Sequence, residues 1–359
     1  MHDKPTSFDI AFLAGVSQPT VSRALRGSPV VSLETRKRIE EIARQLNYRV
    51  DKNASNLRSQ HSNTLALLLF EDPTPDDSQI NPFFLSMLGS LTRACAVQGY
   101  DLLISFQQLS SNWHVEYEDS KRADGLILLG YGDYLEYVSR LELLVEQGTH
   151  FVRWGVVLPG QPGVTIGCDN FQGGCDMTRH LLEQGRRNIA FIGHASEHYP
   201  EFLERYKGYS DSLRSAGAPL RPELQIDAFT TERSGYDAVN LLIERGVAFD
   251  ALFCASDLIA IGAMRALADR EIRVPQDVAV AGFDDIPSAS FTNPSLTTVQ
   301  QDTKAAATLL VESLLGLIQD EPVESHIIPA KLAIRQSTQS ENVKMGTENG
   351  DRSIFVTAT

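Results

Sequence analysis

A chain of 359 residues, 42% hydrophobic and 22% charged, is long enough for two or three domains and has the composition of an ordinary globular protein. It carries no apolar run of membrane-spanning length, its N-terminal MHDKPTSFD lacks the apolar core of a secretion signal, and its four cysteines (Cys95, Cys168, Cys175, Cys254) form no Cys-x-x-Cys pair. These features exclude a helical membrane protein and a disulfide scaffold, and they predict reduced thiols in a cytoplasmic protein.

The net charge of −14 argues against a nucleic-acid partner until it is divided. Residues 1–62 hold ten Lys/Arg and six Asp/Glu, a net of +4, which leaves −18 for the rest of the chain. A basic head can sit on phosphate while the acidic body is repelled from it.

In chain order, residues 8–14 place Ile10, Ala11 and Ala14 on one face of a short amphipathic helix. Gly15 follows, where a sharp turn needs positive φ. Val16 plugs the gap between two helices, Ser17 caps the second, and Pro19 falls in its first turn. Val21 and Leu25 face inward. Gln18 with Ser22, and Pro19 with Arg23, form two adjacent i,i+4 pairs on the outer face, as in a recognition helix. Arg23 has the fork that suits guanine O6 and N7, Gln18 suits adenine, and the hydroxyls of Ser17, Thr20 and Ser22 suit phosphate. An ordinary αα-hairpin is the alternative reading of this stretch. A third helix capped by Ser32 presents Ile39, Ile42, Ala43 and Leu46 to the other two, with Arg36, Lys37 and Arg38 on or near its outer face.

From Thr64 the texture changes. Strands are predicted at residues 64–70, 100–106, 125–129, 150–154, 188–193, 225–229, 251–255 and 278–283. Helices are predicted at 82–98, 134–146, 171–183, 199–215, 233–245, 256–269 and 303–318. Apolar strands alternating with amphipathic helices imply parallel sheets covered on both faces, and this number of strands suits two doubly wound lobes. Ligands of such sheets bind beyond the carboxyl ends of the strands, so two facing lobes would hold a small molecule between them. Residues 341–359 carry no periodicity and no leucine heptad; they read as a disordered tail.

Catalysis has little support. Asp284 and Asp285 are neighbours whose side chains point different ways, and no second helper accompanies them. His194 and His198 lack an acidic metal-site motif. No Gly-x-Gly-x-x-Gly, Walker or Gly-x-Ser-x-Gly sequence occurs. The expectation is a non-enzyme without cofactor or metal.

The segment DIAFLAGVSQPTVSRALRGSPVVSLETRKRIEEIARQLNYR resembles the headpiece of the LacI/GalR family of bacterial transcription regulators. The match runs on into DKNASNLRSQ, residues 51–60, the family's hinge helix, which orders on operator DNA. There Ala54 and Leu57 take the positions of minor-groove contacts, Leu57 as an apolar wedge. Two departures touch the hinge: Val50-Asp51 replaces the usual Pro-Asn, and Ser55 replaces an arginine. In the body NPFF (81–84), RADGLIL (122–128), CDNFQGG (168–174), ERYKGY (204–209), ASDLIAIGAMRAL (255–267), RVPQDVAVAGFDDIP (273–287) and PSLTTVQQD (294–302) follow in family order.

The resemblance implies a small all-α helix-turn-helix headpiece (1–50), a hinge (51–62) and a periplasmic-binding-protein-like α/β core (63–340). The core comprises an N-lobe of about 63–165 and 301–325 and a C-lobe of about 166–300 and 326–340, with crossings near 165, 300 and 325. Matched positions assign effector contacts to Arg205, Asp284, Ser256 and Gln301, with Phe70, Phe83 (or Phe84) and Trp154 from the N-lobe. Phe83 and Phe84 read equally as core, and Trp154 as a strand cap.

The function so implied is a repressor of a carbohydrate uptake or catabolism operon, reading a palindrome as a dimer and switched by a mono- or disaccharide. A purine or phosphosugar effector, or a solute-binding protein of sugar transport, is the alternative.

Overall fold

The computed structural model describes residues 5–25, 27–48, 61–70, 80–106, 112–130 and 132–339, which form parts of two compact units, 1–62 and 63–359. Residues 51–60 of the predicted hinge, with Ala54 and Leu57, and the predicted tail lie outside the described residues.

The first unit is three helices: α1 (Ser7–Ala14), α2 (Gln18–Leu25) and α3 (Leu33–Gln45). Thr6 and Asp9 form a capping box at the start of α1, and Gly15 ends it at φ 63°, where a side chain would be strained. Ser32 caps α3 by accepting from the Thr35 amide at 3.2 Å. Ile10, Ala11, Ala14, Val21, Ala24, Val31, Ile39 and Ala43 close the core, with Val16, Leu25, Ile42 and Leu46 packed at its margin. Arg36 is not presented outward: its Nη2 donates to the carbonyls of Gly27 (2.9 Å) and Ser28 (2.7 Å), fastening the turn after α2.

The second unit holds two six-stranded sheets. The strands are β1 (Thr64–Leu69), β2 (Asp101–Phe106), β3 (Gly125–Leu129), β4 (Phe151–Trp154), β5 (Val164–Cys168), β6 (Ile189–Ile192), β7 (Gln225–Ile226), β8 (Ala251–Cys254), β9 (Ala279–Asp284), β10 (Thr297–Gln300), β11 (His326–Ile328) and β12 (Lys331–Ala333). The helices are α4 (Pro82–Val97), α5 (Tyr134–Glu146), α6 (Asn170–Glu183), α7 (Pro200–Ser215), α8 (Glu232–Glu244), α9 (Asp257–Ala268) and α10 (Thr303–Ile318). The first sheet runs β11-β5-β4-β3-β1-β2 and is wholly parallel. The second runs β12-β10-β9-β8-β6-β7 and is parallel except for its edge strand β12, which lies antiparallel to β10. The strand order reverses between β1 and β3 in one sheet and between β6 and β8 in the other, and sheets of this kind take ligands beyond the carboxyl ends at such points.

The lobe crossings fall after residue 168, at 301–302 and at 329–330, so two of them come later than the predicted 165 and 325. The cause is pairing between the two short strands concerned. β5 and β11 align His326 with Ile166 and Ile328 with Cys168, which keeps both in the first sheet to their last residue. The 225–229 strand is also shorter than predicted, ending at Ile226.

Glycines set one helix crossing. A Cβ on Gly174 would stand 2.3 Å from the Arg205 carbonyl oxygen, and one on Gly208 would stand 2.1 Å from that of Phe171. The backbones of α6 and α7 therefore touch, and this contact fixes where Arg205 projects. All four cysteines are free and buried: Cys95 on α4, Cys168 at the end of β5, Cys175 on α6 and Cys254 at the end of β8.

Candidate functional site

At the carboxyl ends of the second sheet three predicted residues meet. Arg205 projects from α7 and is 0% exposed; Asp284 ends β9 and is 3% exposed. Their Nη1 and Oδ1 atoms lie 3.6 Å apart. Gln301, just past β10, donates from Nε2 to the same Asp284 oxygen at 2.7 Å. Arg205 also donates from Nε to Asn170 Oδ1 at 2.8 Å and from Nη1 to the Ala255 carbonyl, and its guanidinium lies 3.7 Å from the Phe283 ring centroid.

Asp284 and Asp285 both hold left-handed backbone, at φ 117° and 57°. This costs on the order of 1–3 kcal/mol per residue, and it splits the two carboxylates. Asp284 turns into the Arg205 pocket, while Asp285 pairs with Arg335 at 2.6 Å and accepts from Gln300 at 2.8 Å. Burial raises the Asp284 carboxyl to about 7, against the opposing pull of Arg205 and the Gln301 hydrogen bond. Burial, then the charge of Asp284, pushes Asp257 well above the carboxylate range. Asp257 accepts from Thr298 Oγ1 at 2.5 Å and from the Ile286 amide at 2.8 Å, so it ties β10 and the loop after β9 to the start of α9.

The remaining predicted residues are placed differently. Ser256 is fully buried and caps α9 through the Ile259 amide at 3.3 Å. Phe83 and Trp154, 1% and 4% exposed, pack near each other with centroids 6.1 Å apart, in the core on the α4 side of the first sheet. Phe70 follows β1 in a separate aromatic cluster. It stacks on Tyr137 at 4.8 Å and meets Trp113 edge-on at 5.6 Å. A Cβ on Gly130 would lie 2.7 Å from that of Phe70, so the strand ends β1 and β3 close tightly here. The structure thus joins Arg205, Asp284 and Gln301, and separates Phe83 and Trp154 from Phe70. His198 Nδ1 pairs with Asp133 Oδ2 at 2.6 Å, and His194 Nδ1 bonds Ser196 Oγ at 3.0 Å.

Asn170, Asp257 and Arg153 were not among the predicted site residues. Asn170 begins α6, and its Nδ2 donates to the Cys168 carbonyl at 3.0 Å, which aims its oxygen at Arg205. Arg153 carried the clearest signal, a lone arginine within an apolar strand.

In the first unit Ser17, just before α2, and Pro19 and Arg23 on it are exposed, with Gln18, Thr20 and Ser22 half-buried. Gln18 Nε2 donates to Ser7 Oγ at 3.2 Å, and the Ser17 and Thr20 hydroxyls bond at 2.9 Å. The polar row therefore lies along one outer side of a helix whose other side is core.

A helix-turn-helix unit joined to a two-lobed α/β unit with a buried polar cluster at its strand ends defines a ligand-responsive transcriptional regulator. Residues 8–51 match the model for bacterial regulatory proteins of the lacI family, and residues 178–338 match that for a periplasmic binding protein-like domain. The chain is 32% identical over 340 residues to the HTH-type transcriptional regulator RegA of Clostridium saccharobutylicum, across 92% of this chain and 98% of that protein. The solved CelR–cellobiose complex shares 29% identity at a TM-score of 0.69, covering 93% of this chain and 99% of that one. The Lac repressor dimer bound to operator and the anti-inducer ONPF, 23% identical, has the same fold at a TM-score of 0.80, covering 94% of this chain and 100% of that one. The chain belongs to the LacI family; it is a regulator and not an enzyme. Among the described residues no helix is long and apolar enough to cross a membrane.

Proposed function

We propose that this protein represses an operon for carbohydrate uptake or catabolism, binding a palindromic operator in the cytoplasm as a homodimer and releasing it when a small sugar enters the cleft between the lobes. The observation that carries the sugar reading is the Arg205–Asp284–Gln301 cluster, in which a forked donor, a carboxylate acceptor and an amide converge as recognition of hydroxyls requires. The cellobiose complex of CelR supports it by likeness.

In this reading Arg205, Asp284 and Gln301 contact the effector and Phe70 walls the N-lobe side. Phe83, Trp154 and Ser256 hold the walls from behind. Because Arg205 and Asp284 are almost wholly buried, the lobes must part to admit a ligand. The effector acts only through its different affinity for the two lobe arrangements.

On the DNA side, Gln18, Pro19 and Arg23 choose bases, Ser17, Thr20 and Ser22 hold phosphates, and Ala54 and Leu57 enter the minor groove. A gel shift on palindromes flanking the protein's own gene tests this. Binding that weakens steeply with salt is expected, together with a loss of about 1–3 kcal/mol in Arg23→Ala that is confined to the cognate sequence. Equal affinity of Arg23→Ala and its parent for cognate and scrambled DNA would remove Arg23 from base reading. No operator-length DNA bound at low salt would remove the regulatory reading altogether.

A further inference from the structure

Two fully buried arginines of the second unit are treated unequally. Arg205 is held by Asn170, the Ala255 carbonyl and Asp284. Arg153, one residue before the end of β4 and 1% exposed, donates from Nη2 to the Val156 carbonyl at 3.3 Å and interacts with the Tyr137 side chain through a hydrogen bond. Its Nε and Nη1 are buried with no acceptor. Among the described residues no carboxylate lies within 4.0 Å of its guanidinium.

The surroundings are built rather than accidental. The guanidinium lies 5.3 Å from the Tyr134 ring centroid. Tyr134 meets Tyr137 at 5.4 Å, and Tyr137 stacks on Phe70. The cation therefore ends an aromatic wall that starts at the carboxyl end of β1. From the other lobe comes Glu201, at the start of α7. Its Oε1 accepts from the Val156 amide at 3.1 Å and offers no bond to Nε or Nη1 of Arg153. Gly155 holds the space between them: a Cβ there would stand 3.0 Å from Arg153 Nη1 and 3.1 Å from Glu201 Oε1.

A buried cation without a paired carboxylate is costly, and a guanidinium whose Nε and Nη1 lack acceptors suits a forked oxyanion better than a single hydroxyl. We propose that Arg153 anchors an anionic group, a carboxylate or phosphate, carried by the small-molecule effector. The inference rests on the effector-cleft reading above and narrows it to an acidic or phosphorylated sugar.

Isothermal titration of the full-length protein tests it with glucose and galactose, their uronates, their 6-phosphates and inorganic phosphate. A uronate or a 6-phosphate should bind roughly 10- to 100-fold tighter than its neutral parent, the step expected of a hydrogen-bonded charge pair. Which of the two gains identifies carboxylate or phosphate, and inorganic phosphate binding as tightly as the 6-phosphates would assign the site to the free anion. Arg153→Gln should erase the preference and Arg153→Lys should keep part of it, with melting temperature checking the fold of each. The wild-type ratio stands even if a variant fails to fold.

Neutral sugars binding as tightly as their charged forms overturns the assignment. So does no charged compound binding by about 10 mM, or a folded Arg153→Gln that keeps the full preference. Operator binding is scored separately. Anion binding through Arg153 without any operator binding overturns the regulatory reading alone, and operator binding with a neutral preference overturns the anion site alone.

Discussion

Arg205→Met will destabilise the two-lobed unit by about 3–5 kcal/mol and abolish its response to effector. The substitution keeps much of the apolar stem and removes only the fork. It strands the Asn170 oxygen and the Ala255 carbonyl, and it leaves Asp284 buried with no cation. The loss should depend on pH. Burial already lifts Asp284 to about 7 from an ordinary 3.8, and Arg205 opposes that rise, so removing Arg205 lifts the carboxyl further. A carboxyl raised in the folded state binds more protons there than when unfolded. Its contribution is therefore fully present below the unfolded value and declines as pH rises toward 7. Below about pH 6 the variant can protonate Asp284 and avoid part of the penalty; at pH 8 it keeps an unpaired buried charge. Urea unfolding at both pH values, followed by tryptophan fluorescence, should show the larger deficit at pH 8. An equal deficit, or one below about 1 kcal/mol at both, would mean that the pair carries little of the lobe's stability.

Ile39→Ala will disable DNA binding and leave the effector unit intact. Ile39 and Ile10 are the largest fully buried side chains of the three-helix unit, whose core comprises eight buried residues, four of them alanines. Truncating a buried isoleucine costs about 2–5 kcal/mol, and a domain of about 60 residues has little more to lose. Calorimetry of the full chain should lose or lower the transition of the first unit, while that of the second stays in place. Gel shifts should show no specific complex. A variant that binds operator as tightly as its parent would mean that contacts beyond the three-helix core hold the recognition helix.

The legible parts of this fold share a cause. Strands such as TLALLL and GLILL are buried on both faces, so composition alone reveals them. VTIGC, TTVQ, HII and KLA escape the apolar pattern because each is short and carries Thr, Gly, Gln, His or Lys. Partners far along the chain make them strands, not their own propensity. The same four strands set where the chain changes lobes, which is why two of the crossings fall later than predicted.

Position within recognisable motifs picks out Arg205, Asp284 and Gln301, which the fold brings together. Ser256 was assigned by the same means, yet its hydroxyl serves as a helix cap, a role that Ser-Asp at a strand-to-helix turn also predicts. Arg153 stands beside Trp154, within the same buried strand. All four residues of FVRW are buried, and an arginine on such a strand must have its charge answered from somewhere.

The cysteines offer a set of internal timers. Thiol reagents need both a thiolate and access. Burial raises Cys95 to about 11 and Cys168 to about 12, and raises Cys175 and Cys254 as well. Residues 1–62 contain none. Alkylation of this protein is therefore blind to motions of the DNA-reading unit and records only local opening of the other. Cys95 reports on the first lobe, Cys254 on the second and Cys168 on the strand where the chain leaves one for the other. Labelling rates resolved by peptide would time the breathing of each lobe separately, without introducing a single foreign residue.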